Sequence, residues 1–111
     1  DQNVWIGASF PSPAEAKSIK TLGKHKVMWG SDYPHHEGTY PYSLESLQRA
    51  FRDWSEADMR QVLAGNAAEV YRFDLGALAP IAAEHGPTVE QVATPLAEIP
   101  RKATSPAFFK K

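Results

Sequence analysis

Lys26-Val27-Met28-Trp29-Gly30-Ser31-Asp32-Tyr33-Pro34-His35-His36-Glu37-Gly38 is an apolar run that opens into a polar loop. Val27 to Gly30 reads as a short buried strand. Asp32 stands at its carboxyl mouth, and His35, His36 and Glu37 follow within five residues. Outward on the amino-terminal side, Val4-Trp5-Ile6-Gly7-Ala8 is β-branched and aromatic, and suits a strand buried on both faces. Between the two runs, Ser12-Pro13-Ala14-Glu15 supplies a helix start: a capping box, proline at the first helical position and an acid at the positive end of the dipole. The helix should run to Leu22 and stop at Gly23, with Ala16, Ile19 and Leu22 as its apolar face. Strand, capped helix, strand makes a βαβ unit with parallel strands and a right-handed crossover.

Outward on the other side the pattern is helical. Ser43 is placed to cap a helix from Leu44 to about Asp53, with Leu44, Leu47 and Phe51 on one face. Ser55, with Asp58 three residues on, starts another, which Gly65 should end. Asn66 should cap a third, Ala67 to Arg72. Asp74 can cap one further turn before Pro80 breaks or restarts the chain. Thr88 and Gln91 form a second capping box, for a short helix ended by Pro95. From Ala97 the composition turns to Pro, Lys and Ala without a period. That predicts a unit over 1–96 and a flexible tail over 97–111, loose or packed on a partner. The fold class expected is α/β, mostly helical, with two short parallel strands at about 4–8 and 27–30 and four to six helices.

Composition excludes several functions. The chain has 111 residues and a net charge of −1, which gives no electrostatic footprint for nucleic acid or an anionic membrane. It has no cysteine, so thiolate metal sites and cysteine nucleophiles are out. No apolar run reaches the roughly 20 residues of a membrane span. The amino terminus lacks the regions of a signal peptide, and the expected compartment is cytoplasmic. With no initiator Met and a strand almost at once, it reads as a chain entered partway. Ser9, Ser12 and Ser31 lack a G-x-S-x-G setting, and Gly65-Asn66 lacks the glycines and lysine of a phosphate loop.

Asp32 is therefore the leading candidate. At the carboxyl end of a buried strand, an ionised aspartate can bind a divalent cation or take a proton from water. It can also be a turn aspartate capping local N–H groups. His35, His36 and Tyr33 are substrate-contact candidates, with a solvated loop as the alternative for each. Adjacent histidines on an extended loop point to opposite sides, so at most one of the pair faces Asp32. Trp29, Tyr33, Tyr40 and Tyr42 can line a pocket or serve as ordinary packing. Lys20, Lys24, His25 and Lys26 read as solvated charges at a helix end.

Val27-Met-Trp-Gly-Ser-Asp-Tyr-Pro-His35 resembles the last barrel strand of the amidohydrolase-2 group, metal-dependent TIM-barrel hydrolases and decarboxylases whose strand ends in Gly-Ser/Thr-Asp-Tyr/Trp-Pro. Trp5-Ile-Gly-Ala-Ser-Phe10 is similar to the strand before it. Glu56 through Gly65-Asn66-Ala67 to Tyr71 is similar to the helix after the barrel, and Phe73-Asp-Leu75 with Gly86-Pro-Thr-Val89 to an extension of some members. The resemblance covers residues 3 to 96. It implies the last two β/α units of a (β/α)8 barrel plus carboxyl-terminal helices. It also implies that Asp32 is metal ligand and proton acceptor for the attacking water. The metal implied for the complete enzyme is divalent, zinc or manganese, with a small-molecule substrate. The His-x-His pair of such a centre is absent, so no tightly bound metal is expected in this chain. The activities implied are hydrolysis, or decarboxylation as the alternative. An inactive fragment that self-associates, as a homo-oligomer or with the missing barrel segments, is the non-catalytic alternative.

Overall fold

The first helix begins as its sequence dictates. The computed structural model describes residues 3–111, so residues 1 and 2 of the expected 1–96 unit lie outside the described residues. The Ser12 hydroxyl accepts the Glu15 amide at 3.3 Å, and the Glu15 carboxylate accepts the Ser12 amide at 2.7 Å. Helix α1 runs Pro13–Leu22 and closes where the Gly23 N–H donates to the Ile19 carbonyl. Glu15 also accepts Lys110 Nζ at 2.9 Å. The Ser12 amide first, and Lys110 next, hold its carboxyl below the ordinary value of 4.5. On acidification the unfolded chain therefore takes up this proton first. The stability contributed is complete above 4.5 and is lost as pH falls through the lower folded value. Glu15→Gln is expected to lose less of its urea midpoint than the parent between about pH 5 and about pH 3. Parallel loss in both proteins would show that these bonds do not hold in solution.

Strands β1 (Ile6–Ser9) and β2 (Val27–Gly30) flank α1 and pair in parallel, Ile6 opposite Val27 through Ser9 opposite Gly30. The expected burial of the first strand on both faces is corrected. Val4 is 52% and Ile6 55% exposed. Helical cover falls on β2, and among the described residues β1 has β2 as its one sheet neighbour. Leu22, expected on the inner face of α1, is exposed, while Ala16 is buried and Ile19 packs against the core.

Helix α2 (Ser43–Phe51) starts one residue earlier than its sequence suggests. Ser43 is its first helical residue rather than its cap, and its hydroxyl pairs with that of Thr39 at 2.7 Å. Ser55 does cap α3 (Glu56–Arg60), accepting the Asp58 amide at 3.2 Å, but the Asp58 carboxylate accepts Lys24 Nζ at 2.9 Å.

The expected break at Gly65 is absent. The backbone continues from α3 through a π turn (Gln61–Gly65) into α4 (Asn66–Tyr71), and the turn at Arg72, with φ 57°, ends it. Gly65 stays right-handed, a conformation open to any residue, so its cost is entropic and it does not stop a helix. The wider turn carries the Asn66 N–H to the Gln61 carbonyl. Asn66 is then not a cap. It is buried, and its side-chain amide donates to the carbonyls of Lys24 and Val27, each at 2.7 Å.

Pro80 does not break α5 (Leu75–His85), which begins at the Asp74 cap and passes through it. No residue of α5 is buried, so the carbonyl that a proline leaves without its donor can be solvated. Helix α6 (Val89–Ala93) has both bonds of the Thr88–Gln91 capping box. The core is helical: Ala16, Leu47, Phe51, Trp54, Met59, Val62 and Val92, with Trp29 of β2 at its edge.

Residues 97–111, expected as a tail either loose or packed on a partner, make contacts with the chain itself. Ala103, Ser105, Ala107 and Phe108 are buried, and Pro106–Phe108 makes a 3-10 turn. The absence of a period misleads there because isolated side chains, not a helical face, make the contacts. Among the described residues, no helix is long and apolar enough to cross a membrane.

Candidate functional site

The loop after β2 is built by backbone bonds. The Thr39 amide donates to the Ser31 carbonyl, the His35 amide to the Asp32 carbonyl and the Gly38 amide to the His35 carbonyl, each at 2.9 Å. Gly38 closes the ring because nothing larger fits. An added Cβ would lie 2.8 Å from the Ser31 oxygen, 2.9 Å from that of Asp32 and 3.0 Å from that of His35. Thr39 is buried beneath, tied to Ser43 of α2.

Asp32 takes φ 60°, left-handed, which aspartate tolerates better than most residues. This turn brings its carboxylate back over the loop, where Oδ2 meets His35 Nδ1 at 2.9 Å. Asp32 is half-buried and His35 open to solvent, their side chains 31% and 76% exposed. Of the two histidines, His35 faces Asp32. The His36 side chain is exposed, and its carbonyl accepts the Thr104 hydroxyl at 2.9 Å. Tyr33 is exposed and packs edge-on against Tyr40, centroids 5.2 Å apart. Trp29 lies against the core.

The end of β1 sits beside this loop. Phe10, just past the strand, has φ 40° and donates its amide to the Gly30 carbonyl at 3.1 Å. Gly7, Ser9, Met28 and Gly30 share one face of the sheet by register and alternation. An added Cβ at Gly7 or Gly30 meets nothing within 4 Å, so that face is open where the strands run toward Asp32. An open cleft of about 530 Å³ on the other side is lined by Trp29, Ser31, Tyr40, Leu44 and His85, among others, and excludes Asp32.

The basic residues near α1 are dispersed among partners. Lys24 binds Asp58, Lys20 lies over Trp54, Lys26 lies 4.1 Å from the Trp5 centroid, and His25 Nδ1 meets Gln61 Nε2 at 2.9 Å.

Among the described residues, no three His, Cys, Asp or Glu side chains gather as a metal-holding group. A zinc centre takes three or four protein ligands, so Asp32 and His35 do not by themselves fit a tightly held ion. The sequence pointed to Asp32 and His35. It did not point to Gly38, Thr39 or Thr104, which shape and hold the loop. Gly38 had a signal in its turn-forming neighbours, whereas Thr104 had none.

No curated protein and no solved structure matches the chain. A sequence profile of the amidohydrolases matches residues 2–73, a span that takes in both strands, α1, the Asp32 loop and the helix from Glu56 to Tyr71. The chain therefore belongs to the amidohydrolase family.

Proposed function

We propose that this chain is the part of an amidohydrolase-type hydrolase that carries Asp32. In this reading Asp32 contributes one carboxylate to a divalent-cation site completed by side chains from other strands of a β/α barrel, and accepts a proton from the attacking water. The observation that carries the reading is the placement of Asp32. It follows a parallel strand at its carboxyl end, in a left-handed turn, with one oxygen hydrogen-bonded to His35 and the side chain 31% exposed. Groups held at that end of a parallel strand can converge on a substrate while the strands keep them rigid. The sheet face bearing Gly7 and Gly30, the latter two residues before Asp32, is open. The exposed edge of β1 is where further strands can pair.

The test uses Mn²⁺ alone, added to the whole 111-residue chain and followed by paramagnetic broadening of backbone amide signals. Broadening is expected to centre on residues 31–38 and to be largely removed by Asp32→Asn. Broadening centred elsewhere, or unchanged in Asp32→Asn, would overturn the assignment.

A further inference from the structure

We infer that residues 103–110 are a strap that holds the Asp32 loop in shape, with Thr104 as its positioning residue. This rests on the reading of Asp32 above and concerns a segment outside the matched family region.

The strap is fixed firmly at its far end. Phe108 and Ala107 are each 1% exposed. Arg49 Nη1, from α2, donates to the Ala107 carbonyl at 2.7 Å and to the Lys110 carbonyl at 3.0 Å. Bonds from a charged donor are the stronger class. Lys110 Nζ reaches Glu15 on α1 at 2.9 Å and lies 5.7 Å from the Phe10 ring centroid. The Ser105 hydroxyl accepts the Ala107 amide and starts the terminal turn.

At its near end the strap meets the loop where the Thr104 hydroxyl donates to the His36 carbonyl at 2.9 Å. The loop needs such a contact. Residues 33–37 are exposed, and Asp32 sits in a left-handed conformation with φ 60°. The strap thus touches both strand exits, Phe10 after β1 and His36 after β2, and both exits carry a positive φ, at Phe10 and Asp32. It ties these strained turns to the rigid pair α1 and α2.

If the segment served merely to cover the core, Phe108 and Ala107 would suffice and the Thr104 hydroxyl would have no consequence. Amide exchange on the full chain separates the two. Thr104→Val keeps the shape and removes the hydroxyl; Thr104→Ser keeps the hydroxyl. In Thr104→Val the His35, Gly38 and Thr39 amides are expected to exchange about five-fold faster, the worth of one ordinary hydrogen bond. The Met59 amide, bonded to the Ser55 carbonyl in the core helix, should not change. Thr104→Ser should restore loop protection. Arg49→Met, which frees the far anchor, should speed the same three amides.

No change at the loop in Thr104→Val, or an equal change at Met59, would overturn the strap. Mn²⁺ added to the same samples keeps the two ideas apart. Loop amides freed by Thr104→Val, with Mn²⁺ broadening in the parent centred away from residues 31–38, would sustain the strap and overturn the Asp32 assignment. Broadening at Asp32 with loop protection indifferent to Thr104 would do the reverse.

Discussion

Asn66→Leu is expected to destabilise the chain by about 2–4 kcal/mol, although leucine roughly preserves the volume of the side chain. Asn66 is 2% exposed, and its amide bridges the Lys24 and Val27 carbonyls where the chain enters β2. Leucine leaves both acceptors without that donor, and a buried acceptor stripped of its partner costs about 1–3 kcal/mol. The comparison isolates the hydrogen bonds, because little cavity forms. Urea unfolding should show a lower midpoint with an unchanged m-value. Because the bridge joins the π turn to β2, amide exchange in Val27–Gly30 should rise along with it. A cost under about 0.5 kcal/mol would mean that the bridge is not made in solution, since surface changes fall in that range.

Phe51→Ala is expected to be still more costly, about 3–5 kcal/mol. Phe51 is completely buried at the end of α2 and meets Trp54 edge to face, with centroids 4.9 Å apart. Leu47, Met59 and Val62 belong to the same cluster, contributed by α2, α3 and the π turn. Alanine removes the ring that joins them and leaves a cavity whose walls belong to different elements. Such domains have a total stability of about 5–15 kcal/mol, so this one change takes a large share of it. Phe51→Leu, which retains most of the volume, should cost much less. Near-ultraviolet circular dichroism, sensitive to Trp54, together with the urea midpoint reads the effect. Equal costs for the Ala and Leu variants would show that the site collapses around the change and that Phe51 does not organise the core.

The elements that were legible in the sequence are those with local chemistry. Ser12 and Glu15, Ser55, and Thr88 with Gln91 place hydrogen-bonding groups within three residues of the amides they serve, so short-range pattern suffices. Asp32 was legible because it follows an apolar run directly. Gly65 and Pro80 misled for the same local reason, since each is a helix breaker in isolation and neither breaks a helix here. At Asn66 the local reading as a cap lost to a bond made 39 residues away, with Val27.

The sequence by itself determined the βαβ unit, the start of each capped helix and the position of Asp32 at a strand end. Each of these depends on neighbours along the chain. Tertiary structure alone decided that α3 and α4 are one helix with a π turn, that Asn66 faces β2, that His35 rather than His36 meets Asp32, and that residues 103–110 return to the loop. The physical reason is that these outcomes rest on donors and acceptors brought together by burial and by a left-handed turn. Neither periodicity nor composition encodes which distant carbonyl a buried amide or hydroxyl will find.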